Sequence, residues 1–306
     1  MRVAIISDKL GTKGNEASTL IADEALKRKY KVVVISPDSF SLSNNGLFAA
    51  GYQYPDEKKN LRLNLAKDFD VIHFRPNPPV DMNYLTMLYQ LETIKDKVLI
   101  ANCPVSIINF PEKILPLKFA EFMAPTIITK QANEVKDFLS VHKEIIVKPI
   151  YDFGGNGVHK ISKSNSKDID TIIAKAECPV IAQKYIPKVT EGDKRIILID
   201  GKVVGAFLRV PKKGTYLANT VHGSSVRATK LTAKEEKLCK ILRPFLLQND
   251  ILTCGLDIIG GFLTEINITS VGGFQHIYNL YGTKPEEKLW NAIDAKLNKR
   301  AVRKSR

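Results

Sequence analysis

Residues 253–270, TCGLDIIGGFLTEINITS, constrain the fold more than any other stretch. Two apolar runs flank Gly260-Gly261, a pair that suits a tight hairpin turn. Three polar residues, Asp257, Glu265 and Asn267, interrupt this otherwise apolar sheet. Glu265 and Asn267 are two apart on a strand and project from one face. A two-residue turn sets Asp257 opposite Thr264, on the other face from Glu265. A three-residue loop of Gly260, Gly261 and Phe262 instead sets Asp257 opposite Glu265. The three-residue register is the one expected, and it also pairs Leu256 with Ile266 on the apolar face. It brings two carboxylates side by side, which is unfavourable unless a cation sits between them. A hard divalent ion suits carboxylate and amide oxygens, and Mg2+ usually brings substrate phosphates with it. The alternative is an ordinary hairpin with a polar face.

The chain of 306 residues is long enough for two or three packed domains, and 44% hydrophobic with 25% charged residues is ordinary globular composition. Its net charge of +14 suits a protein that handles phosphates and carboxylates. The densest basic run, KLNKRAVRKSR, ends the chain; such a tail is more often a solvated terminus than a nucleic-acid contact. Cys103, Cys178, Cys239 and Cys254 form no CxxC pair, which argues for a reducing compartment and against disulfides or zinc. The first residues, MRVAIISD, are too short an apolar run for a signal peptide or a membrane span. A cytoplasmic protein is expected. The five histidines show no metal-ligand spacing and read as surface or packing residues.

Taken in order, RVAIIS reads as a buried strand, residues 15–29 as a helix with Leu20, Ala25 and Leu26 inward, and residues 31–35 as a second strand. The pattern recurs in DVIHF, a helix over 84–94 and KVLIAN, so the first third is an α/β unit with a parallel sheet. GTKGN after the first strand lacks the GxGxxG spacing of a dinucleotide site. Residues 40–64 carry few periodic signals and are expected to be loops or an irregular excursion. In RPNPPVD, three prolines stiffen a loop at the carboxyl end of a strand, where open α/β sheets bind ligands, so Arg75 is a candidate anion contact. A helix is expected over 112–122, a strand over 125–129, then a helix to His142.

IIVKPIYDFGGNGVHK, residues 145–160, reads as strand, glycine loop and strand. The glycines let backbone amides approach an anion, and Lys148 adds a fixed charge, in a cover unlike the strand-to-helix P-loop. The strand PVIAQKYI could line an adenine pocket, with backbone groups reading the base edge. Two strands around Asp200-Gly201 carry Arg195 and Arg209 among aliphatic neighbours; arginine is rarely buried without an anionic partner, so each is expected to face a charged ligand or a carboxylate, with a structural salt bridge as the competing reading. Residues 233–248 form an amphipathic helix with Leu238, Ile241, Leu242 and Phe245 on one face, and Thr232 with Glu235 makes a capping box. A helix over 286–297 closes the fold.

The order KP…GGNG, QKYIPKVTEGDKR, LRVP and GLDIIGGFLTEINITS resembles the ATP-grasp superfamily and, within it, prokaryotic glutathione synthetases. The resemblance extends back to RPNPPVD and to the Glu112-Lys113 pair, and covers nearly the whole chain. It implies an α/β (α+β) ATP-grasp fold in three parts: an N-terminal parallel-sheet domain (1–108), a central small domain (109–187) and a C-terminal domain (188–306) that grips ATP with it. By motif, Lys113 and Lys148 would hold ATP phosphates, the loop of Gly154, Gly155 and Gly157 would fold over them, and Gln183, Lys184, Tyr185 and Ile186 would meet the adenine. Asp257, Glu265 and Asn267 would bind Mg2+, as two ions replaceable by Mn2+. Arg195 and Arg209 would steady the transferring phosphate and the acyl intermediate, with Arg75 and Asn219 towards the substrate.

The chemistry implied is carboxylate-amine ligation through an acyl phosphate, with γ-glutamylcysteine and glycine as the favoured substrates. Partners would be small molecules, with neither membrane nor nucleic acid; a homo-oligomer stays open. The chain departs from the family pattern at Leu217 and Ala218 before Asn219, where an arginine-glycine pair is typical, and at Val271 and Gln275, where proline and arginine are usual. A ligase adding another amino acid to a peptide or protein tail, or a nucleotide-binding regulatory protein that has lost ligation, are the competing readings. Lys148→Ala or Glu265→Ala is expected to abolish ATP-dependent phosphate release while the circular dichroism spectrum stays that of the parent.

Overall fold

The computed structural model describes residues 1–56, 61–152, 154–216, 218 and 223–304. The first sheet takes β1 (Arg2–Ile6), β2 (Lys31–Ile35), β3 (Ser41–Ser43), β4 (Gly46–Tyr54), β5 (Leu61–Asn64), β6 (Val71–Phe74) and β7 (Leu99–Ala101). Its order is β3-β4-β2-β1-β6-β7, with β5 on β4. The pairs β1–β2, β1–β6 and β6–β7 are parallel, as βαβ crossovers through α1 (Glu16–Lys27) and α2 (Met82–Glu92) require. Asp81 caps α2 by accepting from the Tyr84 amide at 2.8 Å. In α1 the buried face is Ala17, Ser18, Ile21, Ala22 and Ala25. Leu20 and Leu26, expected inward, are half-buried at its flank.

Residues 40–64 are not an irregular excursion. The described part forms β3, β4 and β5, which extend the parallel sheet with antiparallel strands. In β4 the inward positions are Leu47, Ala49 and Gly51, alternating with half-buried ones. So little hydrophobic contrast hides the period of two. Gly51 is required by the strand pairing, because a Cβ there would lie 2.4 Å from the Val34 carbonyl oxygen.

The second sheet, β10-β9-β11-β8, is antiparallel and has its own small core under α4 (Ala132–His142) and α5 (Asp168–Lys175). Its strands are β8 (Thr126–Thr129), β9 (Glu144–Pro149), β10 (His159–Ser162) and β11 (Val180–Lys184). The helix expected over 112–122 is instead 3₁₀ structure, Leu115–Phe122, broken at Phe119. Pro116 removes an amide that a regular helix over these residues would donate to the Glu112 carbonyl. Leu115, Phe119 and Phe122 nevertheless bury themselves in the core of the third sheet.

The third sheet, β14-β13-β12-β15-β16, is antiparallel. It is built from β12 (Asp193–Ile199), β13 (Lys202–Val210), β14 (Ser225–Ala228), β15 (Thr253–Ile259) and β16 (Phe262–Asn267). One face packs Ile196, Leu198, Leu256 and Ile266 on α6 (Ala233–Gln248). The capping box of Thr232 and Glu235 starts that helix as expected. Its buried residues include Leu238, Cys239, Leu242 and Leu246, whereas Ile241 is turned outward. At the other face, Ile197, Phe207, α7 (Phe274–Tyr281) and α8 (Pro285–Lys304) join a core shared with β1, β2 and α1 of the first sheet. The first and third sheets are thus packed together, and the second stands on a separate core.

A buried side chain ties those two sheets covalently distant in sequence. Asn102, following β7, donates to the Thr253 and Ile268 carbonyls at 2.7 Å each and accepts from the Leu252 and Thr253 amides at 2.7 and 2.8 Å. Deep in the molecule, each of these groups would otherwise lack a partner. Asn102→Ala is expected to destabilise the protein by about 3 kcal/mol or more, read as a lower urea midpoint, since each buried orphan costs roughly 1–3 kcal/mol.

Candidate functional site

The inner face of the third sheet carries the site. Side chains two apart share a face, and the register aligns Phe207, Arg195, Asp257 and Glu265 in one row across β13, β12, β15 and β16. A second row sets Arg209 opposite Asp193. Asp257 stands opposite Glu265, and Leu256 opposite Ile266, as the sequence led us to expect. The device differs, however. Ile259 pairs with Phe262 around a two-residue Gly260-Gly261 turn, and the register then shifts at a bulge that leaves Thr264 as the extra residue. Both glycines have positive φ, 56° and 81°, as a primed hairpin turn demands. Thr264 secures the bulge by donating its hydroxyl to the Asp257 carbonyl at 3.1 Å.

The cation beside Asp257 is the protein's own. Arg195 grips the carboxylate with two nitrogens, at 2.5 and 3.0 Å, and Arg209 adds a third contact at 2.9 Å. Burial works against the Asp257 charge, but the two arginines outweigh it and hold the carboxyl well below the usual range. Burial likewise opposes the Arg195 charge, and Asp257, Asp193 and Glu265 together raise its pKa above the ordinary value. Arg209 also donates to Asp193 at 2.6 Å, while its Nε is buried without a hydrogen-bond partner. Asp193 is the weaker acid of the group. Burial pushes it up to about 7, Arg209 opposing and Asp257 adding to the rise.

Glu112 and Lys113 join this face to the glycine loop. Glu112 Oε1 accepts from the Ile268 and Thr269 amides at 2.8 Å and from the Thr269 hydroxyl at 2.7 Å. Burial and the nearby Glu265 raise its pKa. Lys113 Nζ donates to the carbonyls of Ile150, at 3.1 Å, and Asp152, and lies 3.5 Å from Glu265. Lys148 points into the same space; burial lowers its pKa, Glu265 opposing and Lys113 adding. Gly154, Gly155 and Gly157 all have positive φ, 69°, 88° and 66°. Gly157 is also a packing glycine, since a Cβ there would meet Pro149 Cγ at 2.7 Å. Tyr216 reaches the Val158 carbonyl at 3.3 Å from the opposite wall.

These groups surround one cleft of about 960 Å3 between the sheets. Of the described residues expected in the site, all but Gly157 line it. Asn219 and Leu217 lie outside the described residues. Gln183 is buried, and its amide donates to Thr126 Oγ1 at 2.9 Å. The Lys184 and Tyr185 amides already donate to the Pro125 and Glu144 carbonyls at 2.9 and 3.0 Å, so those two do not read a base edge in this arrangement. Arg75 is a strut as well as a lining residue. It donates to Ser18 Oγ at 2.8 Å and to the Val271 carbonyl at 3.0 Å, and burial pushes it down to about 10, still a cation at neutral pH.

Glu265 and Asn267 offer oxygens of the kind a hard divalent ion takes, whereas both Asp257 oxygens are held by Arg195, Arg209 and Asn267 and would have to exchange a partner to join them. Asn267 Nδ2 is committed to the Gly255 carbonyl and Asp257 Oδ2, both at 3.2 Å, so its oxygen is the atom it can offer a cation. Among the described residues no three histidine, cysteine, aspartate or glutamate side chains form a metal cage. An ion here would complete its shell with substrate oxygens and water, as Mg2+ commonly does.

Two family models cover nearly the whole chain: the N-terminal domain of prokaryotic glutathione synthetase over residues 1–107, and its ATP-grasp domain over residues 112–282. The chain belongs to the prokaryotic glutathione synthetase family. It is 35% identical over 292 residues to a glutathione synthetase of Agrobacterium fabrum, spanning 92% of each chain. With that of Rhodopseudomonas palustris the identity is 32% over 311 residues, 97% of this chain and 99% of the relative. Among solved structures, a RiPP-associated ATP-grasp ligase of Chryseobacterium gregarium, in complex with ADP and a leader and core peptide, superposes with a TM-score of 0.69 at 16% identity. The match covers 96% of this chain and 97% of that one. A D-cycloserine synthetase reaches 0.69 at 13% identity over 98% of this chain and all of its own. At such identities these two establish the ATP-grasp fold alone.

Sequence reasoning missed Asp193, which pairs with Arg209 inside the cleft. Asp193 precedes Arg195 by two residues, and that same-face spacing was the available signal. Because its pKa is raised on folding, the native state binds a proton that the unfolded chain releases between about pH 4 and 7, and stability falls as pH rises through that window. Asp193→Asn is expected to flatten this fall, checked by urea midpoints from pH 4 to 8.

Proposed function

We propose that this chain makes glutathione by joining γ-glutamylcysteine to glycine at the expense of ATP. The chain is an ATP-dependent ligase that forms a C–N bond. The observation that carries the reading is the pair of buried arginines, Arg195 and Arg209, lining one cleft with the glycine loop, in a chain whose full-length relatives are glutathione synthetases. Three units are proposed, 1–108, 109–187 and 188–306, each centred on one sheet.

In this reading Lys113 and Lys148 hold the ATP phosphates, and the loop of Gly154, Gly155 and Gly157 closes over them to exclude water. Gln183, Lys184, Tyr185 and Ile186 wall the adenine. Asp257, Glu265 and Asn267 hold two Mg2+ ions, replaceable by Mn2+, which when bound screen the charge on the phosphate oxygens. Arg195 and Arg209 steady the phosphoryl group as the substrate carboxylate attacks it, the orphan Nε of Arg209 being a donor that awaits an anion. Arg75 braces the wall against which the substrate lies. Lys113 has to leave Glu265 and the Ile150 and Asp152 carbonyls to meet phosphate, so nucleotide binding and loop position are linked through one ammonium.

A second reading keeps the ligase and changes the acceptor. Gln275 lines the cleft where the family pattern has arginine, and its amide is engaged by Asn279 at 2.7 Å. The test is ATP-dependent phosphate release with Mg2+, comparing γ-glutamylcysteine plus glycine with other amino acids and short peptides. Release with the first pair and glutathione as product is the expected result. Release only with other acceptors overturns the substrate assignment, and ATP binding with no release from any pair overturns the ligase.

A further inference from the structure

An amino acid acceptor reaches the cleft as an ammonium ion and attacks only after losing a proton. The residues assigned above to the phosphates are cations; Asp257 and Asp193 are paired with arginine, Glu265 faces Lys113, and Glu112 is held by two amides and a hydroxyl. One imidazole among the described residues lines the cleft, that of His276 in the first turn of α7. Its ring stands edge-on to Phe207, with centroids 5.1 Å apart and planes at 63°. Phe207 lies directly opposite Arg195 in the strand register and two residues before Arg209 on the same face. His276 is therefore one aromatic ring away from the two guanidiniums expected to flank the acyl phosphate. From the other wall, Glu16 in the first turn of α1 also lines the cleft, its Oε2 held by the Gly14 amide at 3.0 Å.

Resting on the ligase reading, we propose that His276 is the base that takes a proton from the acceptor's ammonium, with Glu16 across the cleft offsetting the imidazolium charge. The amine nitrogen then attacks the acyl carbon, the C–N bond forms and the C–O bond to phosphate breaks. Of the two protons the nitrogen loses, one goes to His276 and on to solvent, and the other leaves with the phosphate as monohydrogen phosphate. The charged groups that act on the ring are Glu16 from α1, Arg209 from β13 and Arg195 from β12. Burial lowers its pKa, Glu16 raises it and the arginines lower it further, so the ring is neutral at neutral pH, as a base must be.

Hydroxylamine separates this role from a structural one, because it intercepts acyl phosphates as hydroxamates and is already unprotonated at neutral pH. With the full chain, ATP, Mg2+ and γ-glutamylcysteine, the rates of glutathione formation with glycine and of hydroxamate formation are compared. In His276→Gln the ratio of glycine to hydroxylamine product is expected to fall at least about tenfold, within the usual reach of general base catalysis. Equal loss with both nucleophiles, or an unchanged ratio, overturns the proposal. Glu16→Gln is expected to move the acidic limb of the glycine-dependent kcat to lower pH, since removing the carboxylate favours neutral imidazole; a fixed limb overturns the part given to Glu16. Failure of the parent protein to form any hydroxamate would bring down the ligase reading and this proposal together, whereas hydroxamate from the parent with an unchanged ratio in His276→Gln brings down only the latter.

Discussion

Arg195 and Asp257 face each other across neighbouring strands in a part of the sheet that solvent barely reaches, and the cleft is built around keeping both ionised. Breaking such a buried pair costs on the order of 3–5 kcal/mol, because the survivor is left as an unpaired charge. The neighbours are arranged accordingly. Gly255 leaves room for the guanidinium to lie flat, since a Cβ there would come within 3.2 Å of Arg195 Cδ. Asn267 donates to the second carboxylate oxygen, and Arg209 bridges Asp257 to Asp193. Negative and positive charges thus alternate along the face.

The same face is joined to the second sheet by a thinner connection. Glu112 is locked by three donors to the segment after β16, whereas its neighbour Lys113 reaches across to the glycine loop. Adjacent residues thus serve opposite ends: one is fixed by hydrogen bonds it has no reason to exchange, and the other holds groups that a phosphate can replace. The second sheet stands on a core of its own, whereas the first and third sheets share one.

Much of this was legible in the chain, and the failures have physical causes. The hairpin register was read correctly from the pairing of Leu256 with Ile266, but through the wrong loop; a bulge at Thr264 gives the same alternation as a longer turn, and sequence spacing alone does not distinguish them. The capping box at Thr232 is local chemistry and was read outright. By contrast, β4 alternates leucine, alanine and glycine against half-buried positions, a contrast too faint for a periodicity argument. The segment Leu115–Phe122 has a helical composition, but its proline and its need to bury three side chains in another sheet's core override it. Asp257 was recognised as needing a cation, yet nothing in the spacing told that Arg195 would supply it, because the two meet only through strand pairing 62 residues apart. The place of His276 is set in the same way, by Phe207, to which its ring stands edge-on across 69 residues of sequence.

Trp290 has a bearing on how the chain is assembled. Its indole donates to the Ile21 carbonyl at 2.9 Å, 269 residues away, and its ring packs against His73 and Tyr30 at the core that the first and third sheets share. During synthesis the opening strands emerge well before the side chain that fills the core beneath them, which follows Ile21 by 269 residues. Until then that apolar surface is open, and Asn102 has no strands to bind. The N-terminal unit is therefore expected to be a client of chaperones while it waits, and a fragment ending before α8 to be prone to aggregation rather than to fold alone.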